Sequence, residues 1–262
     1  METLLNIKAL YMRFGGLAAL EEIDLEVRTG EITALIGPNG AGKTTIFNCI
    51  TGIYNPTAGD ILAGRPGRKP QRLNGRAPNE VTALGLARTF QNIRLFPNLT
   101  VLENVMIGRH CRTRAGILGA VLRDRRTRGE ERETLVRSYR LLTRFALEPF
   151  VNELAKNLPY GVQRRVEIVR ALATEPFLLL LDEPAAGMNI NETRQLDELI
   201  NRIRDEENVS ILLIEHDMSL VMSLSDRIYV MDYGRMIAQG PPARIKNDPN
   251  VIKAYLGEDL DA

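Results

Sequence analysis

Cysteine and histidine are scarce in this chain, with two of each among 262 residues. Cys49 and Cys111 supply no disulfide framework of the kind small secreted domains use, and such sparing use of cysteine fits a reducing cytosol. Scattered thiols and imidazoles in these numbers offer no zinc site. No apolar run approaches the ~18–20 residues that cross a bilayer, and the first residues lack the pattern of a secretory leader. An excess of one charge is also missing. The 34 basic residues are matched by 33 acidic ones, so bulk electrostatics give no stripe for nucleic acid. The expectation is a soluble, cytoplasmic protein without a nucleic-acid partner.

What is present suits a globular enzyme or binding protein. The chain is 44% hydrophobic and 26% charged, ordinary proportions for a packed domain. At this length about 70–75% of the unfolded surface can be buried, in one large domain or a core with an inserted subdomain. Short apolar runs end abruptly in polar residues or glycine: Ile32 to Ile36 before Gly37, Phe177 to Leu181 before Asp182-Glu183, and Ser210 to Ile214 before Glu215-His216. Runs of this length suit strands buried on both faces, as in a parallel sheet. Helical patterns lie between them. Leu196, Leu199, Ile200 and Ile203 share one face of a helix over residues 191–207. Alternating strands and helices predict an α/β fold with a mainly parallel sheet. Residues 5–27, with alternating Ile23, Leu25 and Val27 broken by glycines, read as an antiparallel β-layer. Residues from about 92 to 165 read as mainly helical, with Leu135, Tyr139, Leu142 and Ala146 on one face. No internal repeat or low-complexity tract is evident.

The chemistry is concentrated first in Gly37-Pro38-Asn39-Gly40-Ala41-Gly42-Lys43-Thr44. This fits G-x-x-x-x-G-K-[ST], the phosphate-cradling loop of nucleotide triphosphatases. Glycines let successive backbone N–H groups turn inward at phosphate oxygens. Lys43 supplies a point charge, Thr44 a hydroxyl for Mg²⁺, and the helix that begins here, with Thr45 in its first turn, turns its positive end to the anion. The strand before it and the helix after it are the setting this loop requires.

Ligands gather at the carboxyl ends of the strands in open parallel sheets. The phosphate loop, Asp182-Glu183 and Glu215-His216 each follow directly on an expected strand, so three strands deliver capable groups to one edge. Asp182 can hold Mg²⁺ through oxygen. Glu183, one residue on, can polarise a water for in-line attack on a γ-phosphate.

The segment Asn157-Leu158-Pro159-Tyr160-Gly161-Val162-Gln163-Arg164-Arg165 resembles the LSGGQ signature of the ABC ATPase superfamily. The resemblance spans nearly the whole chain. Gln91 matches the glutamine of the family's Q-loop, His216 its switch histidine, and Phe14 the aromatic that stacks on adenine. By this resemblance Glu183, His216, Gln91 and Lys43 are catalytic, and Thr44, Gln91 and Asp182 face the metal. The nucleotide is held by Phe14, the loop residues Gly37, Pro38, Asn39, Gly40, Ala41, Gly42, Lys43 and Thr44, Thr45, and across an interface by Tyr160 and Gly161. The implied architecture is a P-loop NTPase core over residues 1–91 and 166–262, with an N-terminal antiparallel β-layer and a helical subdomain over 92–165. Two departures stand out. Pro159 and Val162 replace the signature serine and glutamine, and Asn189 stands where the family's D-loop carries aspartate.

Five blocks, among them Met12-Arg13-Phe14-Gly15-Gly16 and Asp182-Glu183-Pro184-Ala185-Ala186-Gly187-Met188-Asn189, are similar to the LivG-type ATP-binding subunits of branched-chain amino-acid importers. That similarity implies ATP and Mg²⁺ as cofactors, a second ABC ATPase subunit (a paralogue or this chain itself), two transmembrane permease subunits and, indirectly, a periplasmic or extracellular solute-binding protein. It places the chain at the cytoplasmic face of the plasma membrane. Importers of amides, urea or other small polar solutes are the alternative, followed by a soluble ABC ATPase that serves no permease. The segment from Arg109 to Arg128, with arginines flanking the apolar run Ala115 to Leu122, reads either as a solvated loop with a packed apolar turn or as a surface for permease or anionic lipid headgroups.

Overall fold

The computed structural model describes residues 1–112 and 125–256. The elements run β1 (Thr3–Phe14), β2 (Leu17–Arg28), β3 (Ile32–Ile36), α1 (Lys43–Ile50), β4 (Ala58–Ala63), β5 (Gln71–Arg72), α2 (Pro78–Leu84), β6 (Leu86–Arg88), α3 (Val101–Gly108), α4 (Arg125–Arg144), α5 (Tyr160–Leu172), β7 (Leu178–Asp182), α6 (Ile190–Glu207), β8 (Ser210–Ile214), α7 (Met218–Leu224), β9 (Arg227–Asp232), β10 (Arg235–Gly240), α8 (Pro242–Ile245) and α9 (Pro249–Leu256). The chain divides into two compact units, Met1–Gln91 with Phe177–Ala262, and Asn92–Pro176.

The first unit holds both sheets. One has the order β10-β9-β3-β8-β7-β6, and the other β2-β1-β4-β5. Strands β6, β7, β8, β3 and β9 pair in parallel, with β10 antiparallel at one edge. Every residue of β3, β7 and β8 is buried, which is why their sequences are unbroken apolar runs rather than alternations. The second sheet is antiparallel throughout. Its long strand β1 bulges at Ala9, whose φ is 43° and whose amide is tied to Asp24 Oδ1 at 2.8 Å. Such a bulge bends the strand and raises its twist. The inner face of this sheet (Leu10, Leu20, Ile23) packs with Leu178, Leu180, Leu212 and α1 residues Ile46 and Phe47 into one core. On the other side of the parallel sheet, Ala34, Ile36, Ile228 and Val230 meet Val221, Ile245 and Val251 of the C-terminal helices.

The second unit is helical, and its boundary differs from the expected one. The expected subdomain ended at residue 165, in the middle of α5, whereas the compact unit runs to Pro176. The reason is packing: α5 stays whole, and α3 lies against it. The face assigned to the helix over 125–144 also differs. Leu142 and, just beyond the helix, Phe145 are buried, but Leu135 and Tyr139 are 45% and 46% exposed, and Ala146 lies past the helix with a φ of 53°. Ser138 and Thr134 are the buried residues one and two turns earlier. This helix packs against α3. Of the arginine-rich segment, residues 113–124 lie outside the described residues. Arg109 is buried and pairs with Glu175 at 2.9 Å, while Arg112 Nε donates to the Thr174 carbonyl at 2.7 Å.

Candidate active site

The phosphate loop leaves β3 at Gly37 and enters α1 at Lys43, with Gly42 as the N-cap at φ 101°. Glycine is required at both ends of the curve. A Cβ on Gly37 would sit 2.1 Å from the Met231 carbonyl oxygen of β9, and one on Gly42 would lie 2.9 Å from the Ala19 carbonyl oxygen. The hairpin between β9 and β10 supports the loop from behind, with the Gly234 amide donating to the Ala41 carbonyl at 3.1 Å. Lys43 is buried and folds back over the loop, its Nζ donating to the carbonyls of Gly37 at 2.6 Å and Pro38 at 2.8 Å. Asn39, Gly40 and Thr44 are exposed at the rim, and Thr45 is half-buried beside them.

Asp182 ends β7 and is buried in an ion pair with Arg88 at 2.7 Å. Arg88 ends β6, and its other nitrogen reaches Asn48 Oδ1 of α1 at 2.7 Å and Thr51 Oγ1 at 3.3 Å. Its guanidinium lies over the rings of Phe47 and Phe90, 5.4 and 5.2 Å from their centroids. One cation therefore ties the carboxylate at the end of β7 to the helix of the phosphate loop.

Glu183 follows in a left-handed conformation at φ 46°, a region that L-residues rarely occupy. The turn is held by the Glu183 amide on the Ile214 carbonyl at 2.9 Å and by the Ala185 amide on Glu215 Oε1 at 2.7 Å. Glu215 is itself buried, and desolvation pushes its carboxyl above the usual range despite the amides of Ala185, His216 and Asp217 bonded to it. Two partners grip the Glu183 side chain: Gln91 Nε2 donates to one oxygen at 2.6 Å, and His216 Nε2 lies 2.8 Å from the other. Gln91, Glu183 and His216, expected from three separated places in the sequence, thus meet in one cluster at the carboxyl edge of the parallel sheet.

Phe14 stands at the end of β1, 42% exposed, and forms a T-shaped pair with Tyr54, centroids 5.2 Å apart. Tyr160 and Gly161 open α5 in the helical unit, with Pro159 as the N-cap. Proline fits there because its missing amide would have had no intrahelical acceptor. Asn189, which stands where the family's D-loop carries aspartate, caps its own helix. Its Oδ1 accepts from the amides of Asn191 and Glu192, and Glu192 accepts from the Asn189 amide, each at 3.0 Å. This capping box predicts that Asn189→Ala lowers stability by about 1 kcal/mol, measured as a shift in the urea midpoint at constant slope.

Three residues of the site were not singled out from the sequence. Arg88 and Tyr54 carry no motif of their own, and Glu215 was noted only as half of a strand-end pair. The sole sequence signal for Arg88 is its place three residues before Gln91.

Residues 20–186 match the family model of the ABC transporter. The chain belongs to the ABC transporter family. Residues 235–261 further match the model described as branched-chain amino acid ATP-binding cassette transporter. This ABC protein is 48% identical over 257 residues to the high-affinity branched-chain amino acid transport ATP-binding protein LivG of Escherichia coli strain K12, covering 98% of this chain and 99% of that one. It is 46% identical to the high-affinity branched-chain amino acid transport ATP-binding protein BraF of Pseudomonas aeruginosa, covering 97% of this chain and 98% of that one. Among solved structures, the ADP conformation of an ATP-binding cassette of an ABC transporter superposes with a TM-score of 0.84 at 29% identity, covering 98% of this chain and all of the other. The P-loop NTPase fold expected from the sequence is therefore the fold of this chain, and the ABC protein is a nucleotide-binding ATPase. Among the described residues, no helix is long and apolar enough to cross a membrane.

Proposed function

We propose that this ABC protein hydrolyses ATP at the carboxyl edge of its parallel sheet to energise import of branched-chain or related amino acids through a membrane permease. The observation that carries the hydrolytic part is Glu183, fixed by a strained turn and held between Gln91 and His216 beside the phosphate loop. The solute class rests on the similarity to LivG and BraF and on the match over residues 235–261.

In this reading, ATP phosphates lie on the loop from Gly37 to Thr44, with Lys43 turning from the Gly37 and Pro38 carbonyls to the phosphate oxygens. Phe14, partly exposed and paired with Tyr54, offers its ring to adenine. The donor set of Thr44 hydroxyl, Asp182 carboxylate and Gln91 amide is all oxygen, which fits Mg²⁺. When bound there, Mg²⁺ neutralises charge on the transferring phosphoryl group. Glu183 accepts the proton of the attacking water, and His216 orients Glu183 and contacts the γ-phosphate. Tyr160 and Gly161 cover the nucleotide of a second ABC ATPase subunit, so the site is complete only in a pair. ATP then favours the closed pair by binding two surfaces at once, and hydrolysis releases it. The helical unit exposes Phe96, Leu135 and Tyr139, apolar side chains open to contact with the permease subunits at the cytoplasmic face of the membrane.

The test is reconstitution with the permease, the partner ATPase and the solute-binding protein in liposomes. Leucine, isoleucine or valine on the binding protein should stimulate hydrolysis, and Lys43→Ala should weaken ATP binding at least tenfold in the same complex. Stimulation by amides or urea but not by these amino acids would transfer the chain to the alternative importer class.

A further inference from the structure

The signature turn of this chain is tied to the segment after Gln91 by a buried ion pair. Arg164 and Glu167 of α5 lie 2.9 Å apart, with side chains 0% and 1% exposed. The second carboxylate oxygen of Glu167 accepts the Arg94 amide at 2.9 Å. Arg170, one turn further along α5, donates to the Arg94 carbonyl at 2.6 Å. Both peptide groups flanking the Arg94 α-carbon are therefore held by one helix. At the other end of the pair, Arg164 Nη2 donates to the Tyr160 hydroxyl at 3.2 Å, and the guanidinium lies over the tyrosine ring at 5.9 Å. Tyr160 is otherwise 43% exposed, so these contacts fix an aromatic side chain that solvent would leave free to rotate.

We propose that Arg164 and Glu167 are positioning residues that join the segment around Arg94 and the signature residue Tyr160 into one body. Arg94 lies three residues beyond Gln91, which grips Glu183, so displacement of this segment is delivered to the surface that covers the partner subunit's nucleotide. A buried ion pair is a poor device for stability, because well-packed apolar residues of similar volume do as well or better. Its use here is geometric: two carboxylate oxygens and a planar fork connect three backbone and side-chain groups at fixed angles. Burial raises the Glu167 carboxyl above its usual range, opposed by the Arg94 amide and by Arg164 and Arg170. The pair is thus held against a desolvation cost that only its full set of partners offsets.

Two variants of the full-length chain test this. Tyr160→Ala alters only the exposed end of the relay, and hydrogen exchange of the amides at residues 94–96 is read by mass spectrometry. Exchange should become several-fold faster at Arg94, and unchanged exchange there would overturn the relay. The paired change Arg164→Met with Glu167→Leu replaces the ion pair by apolar volume. Its thermal midpoint should be unchanged or raised, and the basal ATPase of the assembled complex should stay within about twofold of wild type. Stimulation by the loaded binding protein and permease should fall at least tenfold. Full stimulation in this variant would also overturn the proposal. The second measurement rests on the transport reading, whereas the exchange measurement needs only the purified chain. A wild-type complex that shows no stimulation would therefore count against the transport reading, with the relay still decided by exchange at Arg94.

Discussion

Glu183→Gln is expected to bind ATP within about threefold of the wild-type affinity and to lose turnover by ~10²–10⁴-fold, the usual contribution of a positioned general base. The substitution is nearly isosteric. Glutamine keeps one oxygen as an acceptor, and the residue's backbone remains fixed at φ 46° by the Ile214 carbonyl and the Glu215 carboxylate. What it removes is the carboxylate proposed to take the proton. None of the phosphate-loop contacts depends on that proton, since Lys43 and the loop are held by Gly37, Pro38 and the β9–β10 hairpin. Binding and chemistry therefore separate at this position, unlike at Lys43. Single-turnover hydrolysis and nucleotide titration of the assembled complex measure the two independently. Wild-type hydrolysis by the glutamine variant would refute Glu183 as the base and leave His216 as the next candidate.

The elements that position this chemistry were legible wherever burial alone set the sequence. Strands β3, β7 and β8 are buried at every residue, so their apolar runs and their polar ends could be read directly, and with them the edge where Lys43, Asp182, Glu183 and His216 collect. The face of α6 was readable for the same reason, since Leu196, Leu199, Ile200 and Ile203 are all buried. Legibility failed where a neighbour's shape or charge decides the outcome. The buried face of α4 carries Thr134 and Ser138 rather than Leu135 and Tyr139, because close packing there rewards small volume over hydrophobicity. Strand β6 has three residues, too few for any period, and exists because it pairs with β7. Arg88 looks like a surface residue in sequence and is buried only because Asp182 ends the neighbouring strand. Asn189 read only as a departure from the family's D-loop aspartate, yet its local spacing to Glu192 already satisfied the capping pattern.

Arg88→Ala should lower the stability of the purified chain by about 3–5 kcal/mol, the cost of leaving a buried charge without its partner. In a chain of this size that amounts to a fall in thermal midpoint on the order of 10 °C. Arg88 and Asp182 have side chains only 6% and 5% exposed, so water cannot replace the guanidinium. The alanine also removes the bonds to Asn48 and Thr51 and the cation over Phe47 and Phe90. A smaller loss, near that of an exposed pair at about 0–1 kcal/mol, would mean that Asp182 finds solvent or another donor. The informative companion is Arg88→Met with Asp182→Leu, which removes both charges and fills the space. Stability should return towards wild type in this double variant, because the desolvation cost disappears with the pair. Hydrolysis should not return, since the carboxylate proposed to hold Mg²⁺ is gone. Recovery of folding without recovery of turnover, read by denaturation and by ATPase assay on the same preparation, would show that the fold tolerates this pair for the sake of placing one negative charge beside the phosphate loop.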